Sequence, residues 1–366
     1  MRRPCASDRA VRVLIVDDSA VIRKVLAIGL STDPLIQVVG AAASAEQARE
    51  MIGALRPDVM TLDIEMPRLD GVSFLRELMP THPLPTVIIS STTQRGAAVT
   101  LAALEAGAVD IIAKPSIGVG EGLPAIMAEI CQRVRAAAHA RPATPLPDRA
   151  RPTAPRPATG TGRIIAIGAS TGGVQALAQI LQPLPADAPG IVIVQHMPEG
   201  FTSAFARRLN DACAITVREA RDGDAVTSGL ALLAPGGRTH LTVNGRAPNW
   251  HVSLAEGEPV CFSRPSVDVM FRSVARAAGG SVVAALLTGM GKDGAEGLLE
   301  IRKAGGTTIA QDEATSVVWG MPAAAVDLGA ASAVLPLEAI SEALLAATRP
   351  AIRGTSRHTP HQGVVR

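Results

Sequence analysis

Ten residues, Ile164 to Gly173, constrain this chain more than any others; they read IIAIGASTGG. Ile164, Ile165, Ala166 and Ile167 form an apolar run that suits a buried strand. The run ends at Gly168, and Ser170 and Thr171 lead into Gly172 and Gly173. Val174, Leu177, Ala178 and Leu181 then recur at helical spacing. The pattern predicts a strand, a tight glycine-flanked turn and a helix start, with one serine hydroxyl at the tip and free backbone N–H groups beside it. Two readings fit. One is a nucleophile elbow, matched as Gly168-Ala169-Ser170-Thr171-Gly172. The other is a phosphate- or dinucleotide-binding turn, although the spacing GxGxxG is absent.

A length of 366 residues suits two ordinary domains. Aromatic residues make up only 2%, with no tyrosine, so the cores must be built from Ala, Leu, Ile and Val. A net charge of +2 gives no electrostatic case for nucleic acid as a partner. The N-terminal apolar run is short and cut off by two aspartates, unlike a signal peptide. No run of apolar residues is long enough to span a membrane, and a cytoplasmic protein is expected. Cys5, Cys131, Cys213 and Cys261 form no CxxC pair and read as reduced thiols, two or three of them core packers.

From Val11 to about Arg135, strands alternate with helices in five units, which predicts an open parallel sheet covered on both faces. The strands are Val11 to Val16, Val38 to Gly40, Pro57 to Leu62, Thr86 to Ile89 and Val109 to Ala113. Asp17, Asp18, Asp63, Ser90 and Lys114 stand at their carboxyl ends, where a site is expected. Three converging carboxylates need a hard cation, and Mg²⁺ with oxygen ligands fits. The lysine and the hydroxyl suit a phosphoryl group. These residues resemble a response-regulator receiver domain of flavodoxin-like fold. The resemblance implies that Asp63 accepts a phosphoryl group from a histidine kinase, and that Asp17, Asp18, Asp63 and the backbone carbonyl of Glu65 hold Mg²⁺. It makes Ser90 and Lys114 the switch residues. Ile111 occupies the place where many receivers carry an aromatic switch.

Ala136 to Thr159 contains six prolines and four arginines, without Ile, Val or an aromatic residue. It reads as an extended tether. Residues 8–135, 136–160, 161–348 and 349–366 are therefore read as receiver, linker, second domain and flexible tail.

The second domain is expected to be doubly wound α/β, with a β-rich excursion between Asp222 and Pro259. Ile191 to Val194 is a buried strand ending at Gln195-His196-Met197-Pro198, and Ser281 to Leu287 is one ending at Thr288-Gly289-Met290-Gly291-Lys292-Asp293-Gly294. Ser266 is placed as the N-cap of the helix that follows it. Serine needs a base within about 3 Å, and the base needs an orienting acid. Ser170, His196 and Asp293 supply those types at three strand ends. Their chain order differs from the Ser, Asp, His order of α/β-hydrolases. His196, His240 and His251 are not spaced as a zinc set.

The motifs GASTGG, QHMP, RPSVD, LTGMGKDG and WGMP, in this order and behind a receiver, resemble the chemotaxis protein-glutamate methylesterases. The resemblance implies Ser170 as nucleophile, His196 as general base and Asp293 as its orienting acid. It implies hydrolysis of glutamate γ-methyl esters on the cytoplasmic domains of chemoreceptors, with deamidation of receptor glutamines as a related activity. The Thr171–Gly172 helix start and Met290 are the candidate oxyanion or substrate contacts. Thr171 either bonds His196 or substrate, or caps the helix. Lys292 stands where asparagine is common. No cofactor is expected at this second site, no membrane insertion, and a monomer. The expected regulation is a receiver that covers Ser170 until Asp63 is phosphorylated, so that removing residues 1 to 160 raises basal activity. A binding protein without catalysis and a nucleotide-dependent oxidoreductase are the rival classes; no helix-turn-helix signature suggests transcriptional output.

Overall fold

The computed structural model describes residues 9–66, 71–90, 94–114, 123–140 and 162–349. Of the tether read over 136–160, residues 141–160 lie outside the described residues, as do residues 350–366 of the tail.

In the first half, β1 (Val11–Val16), β2 (Ile36–Ala42), β3 (Val59–Leu62), β4 (Thr86–Ser90) and β5 (Asp110–Ala113) pair in parallel in the order β2-β1-β3-β4-β5. Helices α1 (Ala20–Leu30), α2 (Ala45–Leu55), α3 (Gly71–Leu78), α4 (Gln94–Glu105) and α5 (Leu123–Ala138) alternate with them. Side chains alternate across each strand. Val13 and Ile15 thus join Leu26 of α1 and Ile130 of α5, while Leu14 and Val16 join Ile52 of α2, Phe74 of α3 and Leu101 of α4. Several boundaries differ from expectation: β3 opens at Val59 rather than Pro57, β4 reaches Ser90 and β5 opens at Asp110. β2 is longer, because its pairing with β1 runs from Val11↔Ile36 to Val16↔Ala42. α5 continues to Ala138, into residues read as tether; alanine favours helix, and Ala137 is buried.

The second half opens with β6 (Ile164–Ala169), α6 (Gly173–Leu181), β7 (Gly190–Gln195), α7 (Phe201–Ala212), β8 (Thr216–Glu219) and β9 (Leu230–Leu233). β10 (Thr239–Arg246) and β11 (Asn249–Glu256) follow as an antiparallel hairpin. α8 (Val267–Ala278), β12 (Val282–Leu286), α9 (Ala295–Lys303), β13 (Thr307–Gln311), α10 (Met321–Asp327), β14 (Ala333–Leu335) and α11 (Leu337–Thr348) complete it. Seven of these strands form one parallel sheet in the order β14-β13-β12-β6-β7-β9-β8. β9 therefore belongs to the main sheet. Its sequence, LALL, is a continuous apolar run, as an interior parallel strand requires. The excursion narrows to the β10–β11 hairpin.

β6 lies at the centre, with β7 on one side and β12 on the other. Strand order switches there, so a crevice opens at the carboxyl ends of these three strands. Ile165 and Ile167 pack with Leu177 of α6, Phe205 of α7 and Leu344 of α11. Ile164 and Ala166 pack with Phe271 of α8 and Leu298 of α9. The cluster on the α6–α7 side is continuous with the receiver core, because α4 packs on α7 and α6.

Candidate active site

Ser170 follows β6, His196 follows β7, and Asp293 stands in the turn between β12 and α9. Because these strands are parallel neighbours, their ends share one sheet edge. His196 Nε2 lies 2.8 Å from Asp293 Oδ2, and both residues are buried. The start of α8 fixes the carboxylate. The Ser266 hydroxyl donates to Oδ1 at 2.8 Å, the Val267 N–H to Oδ2 at 2.7 Å and the Asp268 N–H to Oδ1 at 3.0 Å. Donors that a helix start leaves unpaired thus end on an anion. Burial pushes the Asp293 carboxyl up, but the hydrogen bond and charge of His196, the Asp268 amide and the Ser266 hydroxyl outweigh it and hold it below the usual carboxylate value. An ionised Asp293 only accepts, so Nε2 carries a proton, and a neutral imidazole there keeps its lone pair on Nδ1. Nδ1 lies 3.4 Å from Ser263 Oγ. Among the described residues no hydrogen bond joins Ser170 Oγ to the ring. His196 and Asp293 are brought into contact, and Ser170 to the same edge.

The serine turn is held from three sides. Ser170 N–H donates to the Thr288 carbonyl at 3.0 Å. Gln195 Nε2 donates to the carbonyls of Ser170 and His196, at 2.9 and 3.0 Å. Thr288 Oγ1 donates to the Thr171 carbonyl at 2.9 Å. Gly172 has φ 78°, and a Cβ there would stand 2.5 Å from Val317 Cβ. A Cβ on Gly289 would stand 2.7 Å from Ser170 Cβ. Glycine at both positions lets the motifs close on each other.

The receiver lies against this edge. The Thr171 hydroxyl donates to Asp110 Oδ2 at 2.6 Å, the Gly172 N–H to the Val109 carbonyl at 3.3 Å and Gln175 Nε2 to the Leu104 carbonyl at 2.6 Å. Arg208 of α7 forms an ion pair with Glu105 of α4. The space left among Val109, Asp110, Ile111, Ser170, His196 and Met197 is about 10 Å³, near the room one water needs. Ser170 is 6% exposed and His196 9%. Thr171 therefore bonds the receiver, neither His196 nor the start of α6. The Gly172 amide, a candidate oxyanion donor, is taken by a receiver carbonyl. The Met290 amide makes no hydrogen bond among the described residues. Ile111, in the position of the aromatic switch, packs into the shared core.

In the receiver pocket, Asp17, Asp18 and Asp63 bring carboxylate oxygens within 4.8 Å of one another. Asp17 and Asp63 are buried; Asp18 is exposed. Lys114 Nζ lies 2.6 Å from Asp63 Oδ2 and 3.3 Å from Asp17 Oδ2. The Asp17 oxygen nevertheless accepts no well-directed hydrogen bond while buried, as a cation ligand would be placed. Burial raises the Asp17 carboxyl, the Ser19 amide opposes this, and the Asp63 charge adds to it. Burial lowers the Lys114 ammonium, but its hydrogen bond to Asp63 and the charges of Asp63 and Asp17 raise it overall. An all-oxygen set with two buried carboxylates fits Mg²⁺. The Glu65 amide donates to Asp63 Oδ1 at 3.0 Å. The hydroxyls of Ser90 and Thr100 share a hydrogen bond of 2.9 Å.

A second group, Cys261, Asp268 and Asp293, also lies within 4.8 Å. Its carboxylates are already engaged by amides, including the Gly297 N–H on Asp268 Oδ1 at 2.7 Å. Cys131 and Cys213 are buried free thiols, and Cys261 is half-buried. No helix among the described residues is long and apolar enough to cross a membrane.

Sequence reasoning gave no role to Gln195, Ser263, Thr288 or Asp110. The first three lie in or beside motifs that were read, so position within a motif was the available signal. Asp110 carried none, since its partner is 61 residues away.

The chain is similar to known proteins over nearly its whole length. Residues 13–119 match the family described as response regulator receiver domain, and residues 165–344 the family described as CheB methylesterase. The protein-glutamate methylesterase/protein-glutamine glutaminase of group 2 operon of Cereibacter sphaeroides is 56% identical over 96% of this chain and 95% of its own length. Protein-glutamate methylesterase/protein-glutamine glutaminase 5 of Anaeromyxobacter dehalogenans is 52% identical over 93% of this chain and 98% of its own. The solved CheB methylesterase catalytic domain of Thermotoga maritima is 40% identical, covering 50% of this chain and 98% of that one, with a TM-score of 0.49. The chain belongs to the CheB family of protein-glutamate methylesterases, with a receiver domain ahead of the methylesterase domain.

Proposed function

We propose that the chain hydrolyses glutamate γ-methyl esters of chemoreceptors to glutamate and methanol, deamidates receptor glutamines by the same route, and is switched on by phosphorylation of its receiver. The observation that carries this reading is the His196–Asp293 pair, locked by the start of α8, at the sheet edge that presents Ser170.

Ser170 Oγ attacks the side-chain carbonyl and passes its proton to His196 Nδ1, the nitrogen turned away from Asp293. Asp293 offsets the charge that forms on the imidazole. Amides of Gly172 and Met290 donate to the tetrahedral oxyanion, each worth about 10²–10³ in rate. His196 then protonates departing methanol, or ammonia in deamidation. It next takes a proton from water, which hydrolyses the acyl-enzyme and frees Ser170.

The receiver gates this chemistry. With Val109 on the Gly172 amide and Asp110 on Thr171, substrate cannot reach Ser170. Asp63 is the phosphorylation site, with Lys114 and Ser90 contacting the phosphoryl group. Asp17, Asp18, Asp63 and the Glu65 carbonyl would hold Mg²⁺, which supplies charge for the phosphoryl oxygens. A chemotaxis histidine kinase is the donor, and the methylated cytoplasmic domains of chemoreceptors are the substrate. The protein acts in the cytoplasm, as a receiver through the end of α5 at Ala138 and an esterase from 161 to 348.

Methanol release from methylated receptor fragments tests the proposal, comparing the intact chain with Ser170→Ala, with and without a small phosphodonor and Mg²⁺. Release that needs Ser170 and rises with phosphodonor supports esterase and switch together. Release that does not rise removes the switch. Release that persists in Ser170→Ala removes the assigned nucleophile.

A further inference from the structure

His240 is a buried histidine on β10 to which the mechanism above gives no part. Both ring nitrogens are committed. Nδ1 lies 3.1 Å from the Ser266 backbone nitrogen, and Nε2 lies 3.0 Å from the Glu258 carbonyl. A backbone N–H only donates and a carbonyl only accepts, so the ring is neutral, with its proton on Nε2. The same Ser266 sends its hydroxyl to Asp293, and the next two residues send their amides there. The imidazole thus grips the first link of a chain running His240, Ser266, Asp293, His196. Arg264 pins the other side of this loop. It donates from Nε to the Gly237 carbonyl at 2.9 Å and from Nη1 to the Gly257 carbonyl at 2.7 Å. No other side chain among the described residues accepts from the Ser266 N–H.

We infer that His240 is a positioning residue of the esterase site: its unprotonated Nδ1 fixes the Ser266 amide, and through it the helix start that aims Asp293 at His196. The inference rests on the assignment of Ser170, His196 and Asp293 above. It goes beyond that assignment because it makes one nitrogen of a histidine that touches no reacting atom necessary for alignment of the base. Misplacement of catalytic groups by a fraction of an ångström lowers turnover without altering the substrate surface, so the cost falls on kcat rather than KM.

Two isosteric substitutions separate the two nitrogens. In His240→Asn the side-chain oxygen takes the place of Nδ1 and still accepts from Ser266. In His240→Gln the side-chain nitrogen takes the place of Nε2 and still donates to Glu258, but the Ser266 N–H loses its acceptor. Both variants are made in the full chain and assayed with phosphodonor and Mg²⁺ on methylated receptor fragments. The Asn variant is expected to keep kcat within about threefold of the starting protein. The Gln variant is expected to lose about tenfold or more in kcat, with KM little changed. Proton NMR follows the downfield His196 Nε2–H resonance, which the Asn variant retains and the Gln variant shifts or broadens. Equal kcat in the two variants, or an unchanged resonance in the Gln variant, overturns the inference. The resonance also separates two failures. A chain that shows it, and loses it in the Gln variant, but releases no methanol through Ser170 refutes the esterase reading and leaves the positioning link standing. Thermal unfolding and far-UV circular dichroism of both variants identify a loss that is only misfolding, and a Gln variant whose kcat falls only as its folded fraction falls counts against the inference.

Discussion

Thr171 donates its hydroxyl proton to Asp110 Oδ2 across 2.6 Å, so the residue next to the proposed nucleophile is tied to the first residue of receiver strand β5. Asp110 is itself held by Arg133 at 3.2 Å and by the Ile111 amide at 2.8 Å. The carboxylate is therefore pre-aimed, and its bond to Thr171 costs little ordering. Asp110→Ala is expected to raise esterase activity in the absence of phosphodonor by about tenfold, as loss of one charge-assisted hydrogen bond of about 1.5–3 kcal/mol allows. Activity with saturating phosphodonor should change little. Steady-state methanol release under the two conditions checks this; unchanged basal activity would remove Asp110 from the gate.

Gly172 offers a test of the serine turn itself. Its φ of 78° disfavours any side chain, and a Cβ would stand 2.5 Å from Val317. Gly172→Ala should destabilise the methylesterase domain by about 1–3 kcal/mol and cut turnover at least about tenfold, because strain there displaces Ser170 and the amide beside it. Urea unfolding gives the first quantity and methanol release the second. A variant of unchanged stability would mean that the turn relaxes without loss.

Much of this site was legible in the sequence because parallel strands place the residues after them at one edge, whatever the helices between do. Ser170, His196 and Asp293 each follow an apolar run, and the same logic collected Asp17, Asp63, Ser90 and Lys114. Ser266 was legible as an N-cap, yet its service to Asp293 was not, since a cap and a ligand to a carboxylate read alike along the chain. β9 was misplaced because a short apolar strand does not state its partner; pairing with β7 and β8 is a tertiary choice. The domain interface was least legible. Gln175 and Arg208 look like ordinary polar helix-surface residues until α4 lies against them, and the sequence points Thr171 toward His196, substrate or the helix start rather than toward β5.

The charge state of Asp293 predicts a direction for pH. Its carboxyl is held below the ordinary value of 3.8, because His196 and the start of α8 outweigh the cost of burial. A carboxylate depressed in the folded state contributes stability that is present above the unfolded value and is lost as pH falls through the folded one. The stability advantage over Asp293→Asn should therefore still be present from about pH 7 down to about pH 5 and shrink as pH falls below about 4. Denaturant midpoints across that range check it. An advantage already lost near pH 6 would mean that the carboxyl is not depressed.

Ser90 and Thr100 connect the proposed phosphorylation pocket to the proposed gate. Their hydroxyls share a 2.9 Å bond inside the receiver, and Thr100 also donates to the Gly96 carbonyl at 2.7 Å within α4. The same helix leads to Leu104, whose carbonyl holds Gln175, and Glu105, which pairs with Arg208. A phosphoryl group on Asp63 that draws the Ser90 hydroxyl toward itself must break the bond to Thr100, and α4 then loses a tether between the pocket and the esterase domain. Thr100→Val removes that tether while keeping the volume. With a net hydrogen-bond contribution of about 1 kcal/mol, the variant should reach half-maximal activation at roughly fivefold less phosphodonor, and its fully activated rate should match that of the starting protein. Titrating methanol release against phosphodonor measures this shift. An unshifted midpoint would leave α4 as a rigid cover and put the switch in β5, where Val109 and Asp110 touch the serine turn directly.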